Sequence, residues 1–284
     1  MYIIKILRHG PKNDQSQKGA DLSKVLLDPN RVDEIRDYAR SQVNLVKHAM
    51  IEIETTPVDR AIATGRISYD VIKQSLGIIV TEPKINELIG QFAFGENNKA
   101  INLCTNKMSF LWNEGKKVHR YGDSDAEHQS LYNWCEVGFD NLPKKDENDI
   151  GITIREMAWR IGSYAYRKLK GYSGGDKVTL AFGHSSSIES LLYLCLEMVD
   201  GKDGSDPESM LTRFNETGGA LHPLTGIVFK YDKNTGLYLE YLIGKPETIL
   251  GTKTIPFNID TLRQMDNLFR TEGKSEEVTK KKLA

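Results

Sequence analysis

Tyr2-Ile-Ile-Lys-Ile-Leu-Arg8-His9-Gly10 is the stretch on which the fold turns. Its apolar run predicts a buried β-strand, which stops abruptly at a cation, an imidazole and a glycine. With strand residues already at Tyr2, no presequence is expected ahead of it. A strand ending in Arg-His-Gly puts reactive groups at the carboxyl edge of a sheet, and in open α/β sheets that edge is where ligands bind. Three residues alone also fit a plain turn with surface side chains. Their meaning depends on partners downstream.

Outward from this strand, Val32, Ile35, Ala39, Val43 and Val46 recur at helical spacing and predict an amphipathic helix over 31–47. A short strand is expected over 50–54. Thr55-Thr56-Pro57 then reads as the cap of a helix that carries Ala61, Ile62, Ile67, Val71 and Ile72 to about Leu76. A third strand is expected at 77–80. Strands alternating with helices predict a parallel sheet covered on both faces.

The rhythm breaks over about 84–150, which is rich in Asn, Lys, Glu and Gly with scattered aromatics. Such a length without periodicity predicts a long connection or an inserted region, centred on about 97–150, that roofs a site. Periodicity returns with a helix over 152–172 and a buried strand over 177–182. That strand runs into Gly183-His184-Ser185-Ser186-Ser187 and a helix with Ile188, Leu191, Leu192, Cys195 and Met198 on one face. A hairpin is expected from 225–231 and 237–243 about Asp232 to Gly236, then a last helix over 258–270. The charged residues 271–284 read as a flexible tail. The expected architecture is one α/β domain over 1–270, three-layer α/β/α, with a mostly parallel sheet and helices on both faces.

Bulk properties narrow the function classes. The chain has 284 residues, 39% hydrophobic and 27% charged, enough to bury a sizeable core. A net charge of −1 exerts no global pull on nucleic acid or anionic membrane, so neither is expected as a partner. Its three cysteines, Cys104, Cys135 and Cys195, are odd in number and widely spaced, which suits neither a disulfide framework nor a zinc site. A soluble cytoplasmic protein without a metal or other cofactor is expected. Oligomeric state is not readable from the sequence.

Three segments place polar groups at a strand end or helix start: Leu7 to Gly10, Thr55 to Thr64, and Phe182 to Ser185. Parallel strands would bring all three to one edge. Two arginines and two histidines converging there make an anion site, and phosphate is the obvious anion. Arginine's planar fork matches phosphoryl oxygens, and a helix N-terminus adds backbone donors.

These residues resemble the histidine phosphatase superfamily, in its phosphoglycerate-mutase-like branch. Arg8-His9-Gly10 is similar to the family signature after the first strand. Thr56-Pro57 with Arg60-Ala61 and Thr64 is similar to its second-arginine motif, and Gly183-His184 to its second histidine. Asn86-Glu87, with Gly90 and Gly95-Glu96 beyond, is similar to its acid-bearing loop.

The resemblance runs from residue 1 to about 250, with the middle insertion outside it, and implies a phosphoglycerate-mutase-like fold. It further implies that His9 attacks phosphorus to give a phosphohistidine. Arg8, Arg60 and a cationic His184 would hold the phosphoryl oxygens. Ser185 itself reads first as the N-cap of the helix after His184, with phosphate contact its second role. Glu87, or in reserve Glu96, would be the proton donor. The substrate would be a small phosphate ester and the reaction its metal-independent hydrolysis, with mutase-type phosphoryl transfer as the alternative.

The chain departs from the family after Gly10. Pro11-Lys12-Asn13-Asp14 stands where the family commonly has Glu-Thr or Glu-Ser. Lys12 would suit a polyanionic or doubly phosphorylated substrate, or is simply solvated.

Two other readings stay open. Ser185, Asp206 and His222 fall in the Ser, Asp, His order of the α/β-hydrolases, but position 187 is Ser where the nucleophile elbow needs a second Gly. That reading also leaves Arg8, His9 and Arg60 without a job. A non-catalytic phospho-ligand binder would be expected to have lost His9 or the acid; His9 is present, and Glu87 is the residue on which that reading rests.

Overall fold

The computed structural model describes residues 1–11, 26–45, 49–75, 79–89, 131–132, 135, 153–204, 206–243 and 251–272. Lys12, Glu96 and most of the 97–150 insertion lie outside the described residues, as do His119, Arg120 and the tail beyond Glu272.

The opening strand, β1 (Tyr2–Arg8), is buried except for half-buried Lys5. After a 3₁₀ turn at Pro29–Arg31, whose N-cap Asp28 accepts from the Asn30 N–H, comes α1 (Val32–Leu45). This helix buries Ile35, Ala39 and Gln42, and its outer face carries Asp33–Arg36 and Asp37–Arg40 ion pairs at i, i+3 spacing. Then follow β2 (Met50–Thr55), α2 (Asp59–Lys73), the two-residue strands β3 (Ile79–Val80) and β4 (Lys84–Ile85), and a 3₁₀ turn at Glu87–Ile89.

Beyond the insertion, α3 (Ile154–Lys170) begins at a capping box, with Thr153 and Glu156 each accepting from the other's backbone N–H. It leads through a turn at Gly174-Gly175, where both φ values are positive, to β5 (Lys177–Gly183). The next helix, α4 (Ser185–Val199), is wrapped by the core on several sides. Leu191, Leu192, Tyr193, Leu194, Cys195 and Leu196 are all buried. Besides the two-residue β4, two longer elements were not read from sequence. One is α5 (Pro207–Thr217), capped by Asp206 and closed by left-handed Gly218; the other is the strand β8 (Gly251–Phe257). The expected hairpin is present as β6 (Gly226–Asp232) and β7 (Gly236–Ile243), and α6 (Ile259–Glu272) extends two residues into the supposed tail.

The sheet runs β3-β2-β5-β1-β6-β7-β8, with β4 also pairing β2. It is mixed. All four pairings on the β2–β5–β1 side are parallel, and the three beyond β1 are antiparallel. Two hydrophobic clusters cover its faces. The larger gathers α3, α4, α5 and α6 and includes Leu131 and Cys135 from within the insertion; the smaller lies under α1 and α2. Helices thus flank both faces of an α/β sheet, as the sequence predicts, and the expected mostly parallel sheet is a mixed one with four parallel pairings and three antiparallel.

Placement of the site follows from the strand order. With β5 inserted between β1 and β2, Arg8 lies opposite Gly183 and Thr55 opposite Phe182. The next residue of each strand therefore emerges at one level of one edge. The His9 N–H donates to the Gly183 carbonyl at 3.0 Å, and the Thr56 N–H to the Phe182 carbonyl at 3.1 Å.

Candidate active site

Four polar side chains meet at this edge. Arg8 and His9 come from the end of β1, His184 from the end of β5, and Arg60 from the first turn of α2. Arg8, His9 and His184 are each less than one-tenth exposed. Gly10 leaves room beside α1: a Cβ there would lie 2.5 Å from Ile35 Cδ1, so a side chain would displace the buried Ile35 side chain.

The hydrogen bonds of His9 fix its tautomer. Its Nδ1 lies 2.6 Å from the Gly10 carbonyl, which can only accept, so Nδ1 carries the proton. Its Nε2 accepts from Arg60 Nε at 2.7 Å. The ring is therefore neutral, with its lone pair on Nε2 facing a guanidinium. Burial holds the His9 pKa well below the usual histidine value, reinforced by Arg60, His184 and Arg8, while the Gly10 carbonyl opposes the shift.

The same guanidinium reaches the second histidine. Arg60 Nη2 lies 3.2 Å from His184 Nδ1, and His184 Nε2 lies 3.2 Å from Thr56 Oγ1. A guanidinium only donates, so Nδ1 accepts and Nε2–H donates to the threonine. In this pairing His184 Nδ1 is an acceptor, whereas the cationic form that the resemblance implies carries a proton there as well. The two imidazoles stand edge to face with centroids 5.1 Å apart. Thr64, one turn beyond Arg60, accepts from the Gly10 N–H at 2.9 Å and donates to the Arg60 carbonyl at 2.7 Å, tying α2 to the end of β1.

Arg8 is held by the chain segment before β6. Its Nη1 donates to the Leu221 carbonyl at 2.5 Å, and its main chain bonds Thr225 and Leu224 on either side. Leu224 has a φ of 63°, an uncommon conformation for leucine, in this hydrogen-bonded loop.

Two sequence expectations are corrected here. Thr55 and Thr56 do not cap α2. Thr55 closes β2, the N-cap is Val58 without a side-chain bond, and Thr56 is used against His184 instead. Nor does Ser185 cap α4. His184 occupies the N-cap position, and Ser185 Oγ donates to Glu189 Oε1 at 2.6 Å. The hydrolase triad is not assembled, since Ser185 is turned to Glu189 while Asp206 accepts from the Glu208 N–H as the cap of α5.

Glu87 sits on the Glu87–Ile89 turn with its side chain exposed. The turn itself is anchored: Arg160 Nη2 donates to the Glu87 carbonyl at 2.6 Å, Asn86 Oδ1 accepts from the Leu88 N–H, and Ile89 O lies 3.0 Å from where a Gly183 Cβ would be. The structure thus brings together Arg8, His9, Arg60 and His184, and adds Thr56 and Thr64 as their supports. Both threonines stood within the quoted motif, Thr56 read as a cap and Thr64 without a role. Sequence reasoning missed Glu189 altogether. Its signal was a carboxylate within the run Ile188 to Leu196, which is otherwise apolar but for Ser190.

Among the described residues no group of three or more His, Cys, Asp or Glu side chains is arranged to hold a metal ion, and no helix is long and apolar enough to cross a membrane.

The chain matches no protein-family model and no curated protein. Among solved structures it is similar to the phosphoserine phosphatase of Entamoeba histolytica in complex with 3-phosphoglyceric acid. That pair shares 16% identity at a TM-score of 0.46, over 84% of this chain and 95% of the other. It is similar also to a mycobacterial glucosyl-3-phosphoglycerate phosphatase (12% identity, TM-score 0.47, over 82% and 92%) and to Bacillus stearothermophilus YhfR (12%, 0.46, over 83% and 94%). These are proteins of the histidine phosphatase superfamily, the family that the motifs resemble. At these values the likeness concerns only the course of the chain.

Proposed function

We propose that this protein is a histidine phosphatase that hydrolyses a small phosphomonoester through a phosphohistidine on His9. One observation carries the reading. A buried imidazole is held neutral, with its proton on Nδ1 and its Nε2 lone pair 2.7 Å from a guanidinium. A nucleophilic imidazole must be unprotonated at the attacking nitrogen, and a phosphoryl group needs cations around its equatorial oxygens. Both needs are met at one point.

In the proposed reaction a phosphoryl group enters between His9 and Arg60, and the guanidinium exchanges the imidazole for phosphoryl oxygens. The Nε2 lone pair attacks phosphorus in line with the ester oxygen. The P–O bond breaks as the P–N bond forms, and Glu87 gives a proton to the departing oxygen. Water then attacks the phosphohistidine, losing its proton to the same carboxylate, and inorganic phosphate leaves. Arg8, Arg60 and His184 stabilise the charge on the equatorial oxygens throughout. Lys12, next along the chain from Pro11, would meet a second anionic group of the substrate. None of these steps calls for a metal.

The test is turnover of a chromogenic phosphomonoester in EDTA, wild type beside His9→Ala. Turnover that survives EDTA and is lost in the variant supports the proposal. Turnover by both proteins overturns it. Phosphate binding without turnover by wild type, on this ester and on sugar, nucleotide and glycerate phosphates, would favour a binder instead.

A further inference from the structure

Behind Arg8 lies a carboxyl group that the proposed reaction does not use. Glu189, in the first turns of α4, is fully buried. Its Oε1 accepts two hydrogen bonds, from Ser185 Oγ at 2.6 Å and from the Leu221 N–H at 2.7 Å. Its Oε2 is buried and makes no hydrogen bond among the described residues. The Leu221 carbonyl in turn accepts from Arg8 at 2.5 Å. One oxygen atom thus joins the helix that begins at His184 to the loop that holds the guanidinium beside His9.

A buried carboxyl is costly to keep, and one facing mostly apolar neighbours on a core helix adds nothing to packing that Leu or Met would not. Burial raises its pKa to about 7, against the Leu221 and Ser185 hydrogen bonds and the charge of Arg8. The geometry is what gives it a use. Leu221 lies in the connection between α5 and β6, and with Glu189 removed its N–H would lose its acceptor inside the protein, where a buried amide without a partner is driven to move.

We propose that Glu189 is a positioning residue of the anion site, which fixes Arg8 next to His9 through the main chain of Leu221 and turns the Ser185 hydroxyl away from the anion. The inference rests on the phosphatase reading above and goes beyond it, because it assigns a role to a residue that never touches substrate. It requires an acceptor at Oε1 and not a charge. Glutamine should therefore replace it and methionine, of similar volume, should not.

The experiment compares wild type, Glu189→Gln and Glu189→Met by KM and kcat on a phosphomonoester, by inhibition with inorganic phosphate, and by thermal melting. The glutamine variant is expected within about threefold of wild type, while the methionine variant raises KM and the phosphate inhibition constant about tenfold with kcat less affected, as loss of ground-state anion binding does. The melting temperature should not follow this order. If the methionine variant does not fold, Glu189→Asp, which withdraws the acceptor by one methylene, should raise KM in the same direction. Wild-type phosphate affinity in all the folded variants overturns the inference. So does loss in both Gln and Met in proportion to a lowered melting temperature. If wild type neither turns over esters nor binds phosphate, it is the phosphatase reading that fails; active wild type with indifferent variants refutes the role of Glu189 alone.

Discussion

Two polar clusters lie along strand β5, the first shared with β2 and the second with β1 and α2, and they are built on opposite rules. Midway along the strands, Lys168 reaches Glu54 at 2.6 Å and Glu52 at 3.1 Å, and Lys177 reaches Glu52 at 2.9 Å. Asn86 donates to the other oxygen of Glu54 at 3.1 Å. Every charge meets its opposite. Burial works against ionised Glu52, but its bonds to Lys177 and Lys168 outweigh this and hold its pKa below the ordinary glutamate value. A few residues on, at the strand ends, Arg8 donates to a carbonyl and Arg60 to two imidazoles. Among the described residues these acceptors are a carbonyl and imidazole nitrogens, and burial, with the cations around His9, drives its pKa down. The lysine cluster ties α3 to the sheet. Exchange of such acceptors for an anion is what the proposed reaction asks of the strand-end cluster.

The sharpest way to break this contrast is His9→Ala, which should lower turnover of a phosphomonoester about 10³-fold or more while leaving the melting temperature close to wild type. A large loss of stability would make His9 a structural histidine. Next comes Arg60→Ala, expected to lower kcat/KM about 10²-fold, the scale for losing one donor to a transition-state oxyanion. Nuclear magnetic resonance titration of the His9 ring in that variant should show its pKa moving back up toward the ordinary histidine value. No movement would mean that the guanidinium does not set the state of His9.

On the other side, Lys168→Met should cost roughly 2–3 kcal/mol in denaturant unfolding, because it strands a nearly buried Glu54, and should leave kcat unchanged. A fall in kcat comparable with that of Arg60→Ala would merge the two clusters into one functional unit.

The smallest effect is in the pH dependence of stability. His9 in the folded protein resists a proton that the unfolded chain accepts near pH 6.5, so between its depressed pKa and pH 6.5 the unfolded state binds more protons. Its contribution is therefore lost as pH falls below 6.5, and His9→Ala should weaken the acid slope of stability measured by urea titration. An unchanged slope would mean that His9 is readily protonated in the folded state. Activity should likewise persist below pH 6.5, since the nucleophile stays neutral there.

Much of this was legible from local pattern. The apolar run of β1, the helical stripes of α1 and α3 and the glycine-bearing turn at Asp232 to Gly236 each have a period or a turn chemistry that a short window carries. α5 escaped because its short stripe follows the turn-like run Asp200 to Pro207, and β8 because Gly251-Thr-Lys-Thr-Ile-Pro-Phe257 holds a proline that argues against a strand. At sheet-edge position β8 tolerates it.

For the site, the sequence by itself determined which residues could act. Arg8, His9, Arg60 and His184 could be named because a strand end or a helix start fixes where a side chain emerges. What it could not determine was how they meet. Only tertiary structure put β5 between β1 and β2, set Arg8 level with Gly183, took Thr56 from capping to His184 and placed Glu189 behind Arg8. Propensity and periodicity act over a few residues. The bond of Arg60 to the His9 lone pair and the seating of Glu189 against Leu221 depend on contacts between segments tens of residues apart, which no local window contains.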